Sequence, residues 1–448
     1  MTEQRSFPLT DRKADQIIAL GAVGEIRVDS FMAQSICLSR QLPKHQYVIN
    51  LCADRFQFLL GFCAALIAGQ CTLMPPNRQS QTLERLRMVY PDSYSLGHSG
   101  ENDYEMIPGD VLHMEPGSVD TQVPEIPANQ LCAIAFTSGS TGASMPNVKY
   151  WETLREGSLS NAKLLMSDVV GRVNLLATVP PQHMWGFETS ILLPLFFDAA
   201  ICHLSPFYAQ DIADALQSMP SPRVLISSPV HLDALLKSGV RPANIDRIFT
   251  ATAPLSKQLA QALEARFEAR VLDIFGCTES GILAIRDTSR EELWTLAEAF
   301  ELEVRKDEVV IRAQHLPEDV ALPDLIELVG DGRFRWLGRH QDMINIAGKR
   351  GSLTDLNNRL KAIPGVTDGV IFMRYGSINR LAAMVVAPGL KPSDILRELK
   401  SQIEPVFLPR PLYLLDKLPR QETGKLSTKA VAELFEEIRN SRAARDTR

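Results

Sequence analysis

Phe136-Thr137-Ser138-Gly139-Ser140-Thr141-Gly142 follows a short apolar run, Leu131 to Ala135, that reads as a buried strand. Glycines let a backbone take positive φ and come close to a ligand. Backbone N–H groups and hydroxyls in such a loop can surround an anion, and phosphate is the usual one. Taken alone, the stretch also reads as a Ser/Gly surface turn. It is not a Walker A loop, which needs Gly-Lys-Ser/Thr where Ala143-Ser144-Met145 stands here. A P-loop nucleotide hydrolase is therefore disfavoured.

Three later stretches bear on that loop. Phe275-Gly276-Cys277-Thr278-Glu279 ends another apolar run. Gly338-Arg339-His340-Gln341-Asp342 opens a charged segment that runs to Gly348-Lys349-Arg350. Leu418-Pro419-Arg420-Gln421-Glu422-Thr423-Gly424-Lys425 lies near the C-terminus. In this order the four resemble the adenylate-forming superfamily of acyl- and aryl-CoA synthetases, peptide-synthetase adenylation domains and luciferases. The resemblance spans about Asn50 to Lys429.

The whole chain sets the bounds. At 448 residues it is too long for one core, so two or three structural units are expected. A net charge of −6 implies no general attraction to nucleic acid or anionic membrane. Met1 to Gln16 is mixed polar and charged, unlike a signal peptide. The apolar stretch Phe56 to Ala68 is too short to span a bilayer and reads as a buried helix. The seven cysteines are odd in number, lack CxxC spacing and sit mostly in apolar runs, so reduced thiols in a cytoplasmic protein are expected. The histidines show no ligand spacing, so no structural metal site is expected.

Tyr47 to Leu51, the helix through Phe62 and Leu66, and Cys71 to Met74 form a βαβ unit. Residues 77 to 129 read as polar surface with short strands. From Val173 onward strands and helices alternate: strands at Val173–Val179, Ala199–Leu204, Arg223–Ser227, Arg247–Thr252 and Arg270–Phe275, with helices at Ile212–Met219, His231–Ser238 and Ser256–Phe267. Alternation argues a doubly wound parallel sheet, with ligands at the carboxyl ends of strands. Leu302–Arg305 and Val309–Ala313 read as a hairpin, and Arg333–Leu337 adds a strand. The fold class is α/β: a large N-terminal domain, 1–340, of doubly wound, mostly parallel sheets with a small antiparallel β subdomain. A small mobile α+β lid domain, 341–448, follows, with its hinge near Gln341 and a frayed polar tail after Asn440.

The resemblance implies roles for single residues. Thr137, Ser138, Gly139, Ser140, Thr141 and Gly142 would hold the β- and γ-phosphates of ATP. Lys149 stands several residues later than the family's loop lysine, and a solvated surface lysine is the alternative reading. In Pro180-Pro181-Gln182-His183-Met184-Trp185-Gly186, the residues His183, Trp185 and Gly186 would line the carboxylate pocket. Thr252 and Ala253, where the family more often has Gly-Ala, would border the base or the acyl group. Phe275 offers a flat face to adenine, and Gly276 allows close approach. Thr278 can hydrogen-bond an α-phosphate oxygen, and Glu279 is a hard oxygen ligand suited to Mg²⁺. Asp324 would take both ribose hydroxyls, and Arg339 would be a second ribose or phosphate contact. Lys425 would neutralise charge developing at the α-phosphate, making it the main catalytic residue.

The chemistry implied is an AMP-forming ligase. A carboxylic acid plus ATP gives acyl-AMP and pyrophosphate, and a thiol then takes the acyl group. Asn50-Leu51-Cys52-Ala53-Asp54-Arg55 and Gly348-Lys349-Arg350-Gly351-Ser352-Leu353 resemble stand-alone aryl or acyl carrier-protein ligases. That implies a carrier-protein phosphopantetheine as acceptor, and an aryl acid such as a hydroxybenzoate, or a medium acyl chain, as substrate. A synthetase using free CoA and a non-catalytic nucleotide-binding homologue are the alternatives. No carrier domain, nucleic acid or membrane span is expected.

Overall fold

The protein's structure, a computed structural model, describes the chain except residues 1–4, 23, 98–103, 106, 108, 113–121, 138–144, 306–307, 340–341, 347–348, 375–379, 421–425 and 447–448. It divides into two compact units. The first is Met1–Glu301 with Arg312–Val320; the second is Leu302–Ile311 with Ala321–Arg448.

The first unit runs β1 (Ser6–Pro8), β2 (Ile17–Gly21), β3 (Gly24–Arg27), α1 (Val28–Gln41), β4 (Tyr47–Asn50), α2 (Arg55–Ile67), β5 (Cys71–Met74), α3 (Ser80–Val89), β6 (Ser93–Leu96), β7 (Tyr104–Glu105), α4 (Gly109–Leu112), β8 (Glu125–Pro127), β9 (Leu131–Thr137), β10 (Met145–Tyr150) and α5 (Trp151–Met166). It continues through β11 (Val173–Ala177), α6 (Met184–Phe187), a π-helical turn (Glu188–Leu192), α7 (Leu193–Phe196), β12 (Ala199–Cys202), α8 (Ala209–Ser218), β13 (Arg223–Ser227), α9 (Pro229–Lys237), β14 (Arg247–Thr250), α10 (Lys257–Phe267), β15 (Arg270–Cys277), β16 (Gly281–Arg286) and β17 (Trp294–Leu296).

Two sheets dominate this unit. One has six strands in the order β10-β9-β5-β4-β6-β7, parallel except where β10 turns back on β9. In the other, β15, β14, β13, β11, β12 and β2 are parallel neighbours, with β16 and β3 antiparallel beside β15 and β2. Helix α2 is apolar on every side, and nearly all of it is buried, as such a helix must be. Asp54 caps it by accepting the Gln57 N–H at 2.9 Å. Its side chains join those of β9, β11 and β12 in one core. A second core lies under α8, α9 and α10. Helices on both faces make the second sheet doubly wound, as expected.

The second unit runs β18 (Glu301–Arg305), β19 (Glu308–Arg312), β20 (Val320–Leu322), β21 (Asp324–Gly330), β22 (Arg333–Arg339), β23 (Met343–Ile346), β24 (Lys349–Ser352), α11 (Leu353–Ala362), β25 (Asp368–Arg374), β26 (Arg380–Val386), α12 (Pro392–Gln402), β27 (Leu412–Leu414) and α13 (Thr428–Asp446). Strands β21 and β22 form an antiparallel hairpin. The sheet β25-β26-β27 carries α11 and α12 on one core and α13 on another.

Two expectations change, and the N-terminal stretch gains a place in the fold. Residues 77–129 are not surface strands only: α3 forms there, and β6 is a largely buried parallel strand beside β4. The N-terminal residues supply β2, an inner strand pairing with β12. The tail expected to fray after Asn440 is helical backbone to Asp446, since alanine and arginine favour helix.

Candidate active site

Phe275 and Gly276 lie inside β15, and Thr278 to Ser280 form the turn into β16. The strand pair slips register between Phe275 and Gly276. A Cβ on Gly276 would stand 2.2 Å from the Gly281 carbonyl oxygen, so only glycine fits. Phe275 is half-buried, its ring centroid 5.3 Å from that of Trp294. Thr278 is half-buried and Glu279 exposed at the tip. Burial pushes the Cys277 thiol up to about 11, so it is no nucleophile at neutral pH.

The glycine loop is the connection of the β9–β10 hairpin, in the other sheet. The second strand of that hairpin nonetheless reaches the Phe275 motif. Lys149, near the end of β10, donates from Nζ to the Glu279 carbonyl oxygen at 2.9 Å. Its residue is only 2 % exposed. It is not the solvated surface lysine of the alternative reading, because its register on β10 carries it inward. Burial lowers its pKa, against the carboxylate of Glu188. Glu188, in the π-helical turn, accepts from Asn161 Nδ2 and from the Ile282 N–H, both at 3.1 Å. Burial raises its pKa. Nothing in the sequence marks Glu188 or Asn161. The only available signal is a charged residue inside an otherwise apolar stretch, Ile191 to Phe197 following.

His183 precedes α6 and Trp185 lies in it, both half-buried. A Cβ on Gly186 would stand 2.5 Å from the Pro180 carbonyl oxygen. This segment is anchored by Arg55, fully buried, which donates to Ser190 Oγ (2.6 Å) and to the carbonyls of Ala177 (3.0 Å) and Val179 (2.7 Å). Ser190 in turn donates to the Gly186 carbonyl at 2.6 Å. Arg55 is a further residue that the sequence did not single out.

Thr252 and Ala253 follow β14. Thr252 has φ +78°, a conformation a β-branched residue rarely adopts. Glycine is relaxed there, which explains the family's usual residue. The Thr252 Oγ1 is buried with no hydrogen-bond partner among the described residues. Orphaned hydroxyls and strained turns are features that recur at ligand sites. His183, Thr252 and Phe275 thus stand at the carboxyl ends of β11, β14 and β15, strands of one parallel sheet.

In the second unit Asp324 and Arg339 are register partners across β21 and β22. Asp324 is 4 % exposed, and its Oδ1 accepts from Trp336 Nε1 at 2.8 Å. Thr137 closes β9, and for it and Arg339 only the backbone is described. Ser138, Gly139, Ser140, Thr141, Gly142, Gln341 and Lys425 lie outside the described residues. Among the described residues no cluster of three or more His, Cys, Asp or Glu side chains could hold a metal, and no helix is long and apolar enough to cross a membrane. An exposed Glu279 carboxylate fits Mg²⁺, which takes few protein ligands when phosphates supply the rest.

A family model, AMP-binding enzyme, matches residues 45–315. The chain is 26 % identical to a 4-coumarate–CoA ligase of Cereibacter sphaeroides over 65 % of itself and 69 % of that protein. It is 24 % identical to a 4-chlorobenzoate–CoA ligase of Arthrobacter sp over 69 % of itself and 66 % of that protein. It is also 30 % identical to an isonitrile lipopeptide synthase of Streptomyces coeruleorubidus, over 26 % of itself and 8 % of that longer chain. Among solved structures, ATP-bound MatB from Rhodopseudomonas palustris superposes with a TM-score of 0.79 at 17 % identity, covering 96 % of this chain and 98 % of that one. The o-succinylbenzoate CoA synthetase of Bacillus subtilis with its acyl-adenylate intermediate gives 0.78 at 14 %, covering 95 % and 98 %. At such identities the structural likeness shows the fold.

Proposed function

The chain belongs to the AMP-binding enzyme family, within the adenylate-forming superfamily, and from that premise we propose that it is an ATP-dependent acid–thiol ligase. A carboxylate is a poor acyl donor because oxide leaves badly. In the first step a carboxylate oxygen attacks the α-phosphorus of ATP, and the bond to the β-phosphate oxygen breaks. Acyl-AMP forms and pyrophosphate leaves. In the second step a thiol loses its proton, attacks the acyl carbon and releases AMP.

Catalysis of such displacements is positioning and charge neutralisation. Phe275 would stack on adenine, and Asp324 and Arg339 would hold the ribose. Thr137 to Gly142 would cradle the β- and γ-phosphates, and Thr278 would hydrogen-bond the α-phosphate. Glu279 would hold Mg²⁺, which supplies charge neutralisation on the phosphates. His183, Trp185, Gly186, Thr252 and Ala253 would bound the acid. Lys425, on a lid domain of residues 341–448 with its hinge near Gln341, would stabilise the charge passing between carboxylate and phosphate. The observation that carries the reading is the Lys149–Glu279 bond at 2.9 Å, which brings the hairpin of the glycine loop against the Thr278–Glu279 turn.

The acceptor we favour is a carrier-protein phosphopantetheine, with an aryl acid or medium-chain fatty acid as substrate. The relatives named as CoA ligases favour free CoA as a second reading. The test is carboxylate-dependent ATP–pyrophosphate exchange with a panel of aryl and fatty acids, on wild type and Lys425→Ala. Exchange with at least one acid, reduced about 100-fold or more in the variant, is expected. No exchange with any acid, while nucleotide still binds, would make the protein a non-catalytic homologue. Thioester formation with CoA against a phosphopantetheinylated carrier protein then decides the acceptor.

A further inference from the structure

An exposed turn is a poor place to fix a metal ligand, yet Glu279 sits at the tip of one. What holds the turn lies underneath it. On one side Lys149 Nζ donates to the Glu279 carbonyl oxygen at 2.9 Å. On the other, Glu188 Oε1 accepts the Ile282 N–H at 3.1 Å. Between them Gly281 takes φ +77°, and a Cβ there would meet Glu188 Oε1 at 2.5 Å. The carboxylate is therefore packed directly against the turn's backbone. Asn161 of α5 fixes that carboxylate at 3.1 Å. Both charged residues are almost wholly buried, at 2 % and 5 % exposed.

Two buried charges are a poor way to gain stability, because an apolar pair of similar volume is often as good or better. They do fix geometry, since each directional bond is made to main chain, one at the Glu279 carbonyl and one at the Ile282 N–H. The carboxylate is presented by a π-helical turn, a local form that recurs at functional sites. We propose that Lys149 and Glu188 are positioning residues, an oppositely charged buried pair that clamps the turn between the Glu279 carbonyl oxygen and the Ile282 N–H. The clamp aims the Glu279 carboxylate at Mg²⁺ and the Thr278 hydroxyl at the nucleotide. It rests on the functional reading above. It also explains why Lys149 stands late after the glycine loop. Near the end of β10 it reaches the turn, and it couples that turn to the hairpin bearing the loop.

The test uses the full-length Lys149→Met, Glu188→Leu and double variants. The readouts are thermal midpoint, backbone hydrogen exchange of residues 275–284, and ATP affinity with Mg²⁺ and with EDTA. Each single variant leaves one buried charge without the opposite charge near it and is expected to melt early. The double variant is expected to recover the midpoint. Its turn still exchanges about tenfold or more faster than wild type, and most of the Mg²⁺-dependent gain in ATP affinity is lost. Affinity in EDTA changes about twofold or less. A merely structural pair would recover all of these with the midpoint, and that result overturns the clamp. So does a loosened turn that keeps the full Mg²⁺ gain. Should the double variant not fold, Asn161→Ala frees only the carboxylate and is expected to show the same two changes more weakly; no change in either overturns the clamp. A wild type whose ATP affinity gains nothing from Mg²⁺ overturns Glu279 as metal ligand, and the clamp's purpose with it, even where exchange responds.

Discussion

Asp273 stands in a row of side chains that crosses the parallel sheet near the carboxyl ends of its strands. Ser227 and Thr250 are register partners, as are Thr250 and Asp273, and Asp273 and Arg286. Thr178 Oγ1 and Ser227 Oγ are 2.7 Å apart. Burial raises the Asp273 pKa from 3.8 to about 6, although Arg286 lies 2.9 Å away. The folded carboxyl therefore holds its proton in a window where the unfolded chain has lost it. Stability from this group falls as pH rises from about 4 to about 6, and the full cost is present at neutrality. Asp273→Asn removes that dependence, and Arg286 keeps the face of Trp294 at 4.4 Å. Relative to the variant, wild type is expected to gain about 2 kcal/mol between pH 7 and pH 4.5, measured by urea unfolding of both. A constant difference between the two proteins would refute the shift. The need for glycine at 276 was legible as a point of close approach, though the sequence reading assigned that approach to a ligand and the structure shows the Gly281 carbonyl oxygen there. Lys149 was not legible, because whether a lysine is solvated depends on which elements close over it, and that is a property of packing.

At the scale of elements, α2 shows how much a local pattern can carry. A stretch apolar on every face must be buried, so its place in the core follows from composition. Helix α3 was missed because only Leu83 and Leu86 face inward, too few for a helical period. A short strand was expected near β6 but not its burial, because Ser93-Tyr94-Ser95-Leu96 alternates polar and apolar residues as a half-exposed strand does. What joins the elements is less local still. Arg55, at the first turn of α2, binds the end of β11 and the π-helical turn through three acceptors. Burial lowers its pKa to about 10, so it remains charged at neutrality. Arg55→Ala leaves a cavity and three acceptors without their donor. A loss of about 4 kcal/mol is expected in urea unfolding, with faster hydrogen exchange in 177–192. A loss below about 1 kcal/mol would mean that the segment bearing His183 and Trp185 is held by packing alone.

At the scale of the molecule, the candidate site residues fall in both units. His183, Thr252 and the Phe275 motif lie in the first, and Asp324 and Arg339 in the second. The order of the motifs along the chain was legible, because each follows or ends a strand. How contacts group the strands between 302 and 340 was not, since pairing between distant segments leaves no local trace. Each unit carries a core of its own. In the second, Phe435 of α13 is 2 % exposed and packs against Phe372 and Tyr413, with ring centroids at 5.3 and 5.7 Å. Ala382, Met384, Val386, Leu418 and Val431 join that cluster. Such a core is complete within its unit, so a deletion there should be felt in that unit first. Phe435→Ala is expected to cost the second unit about 3–5 kcal/mol. Hydrogen exchange should rise in β25 and β26 while that of β13 and β14 stays at wild-type rates. An equal rise in all four strands would mean that the chain unfolds as one cooperative body, and that the two cores do not act as separate units of stability.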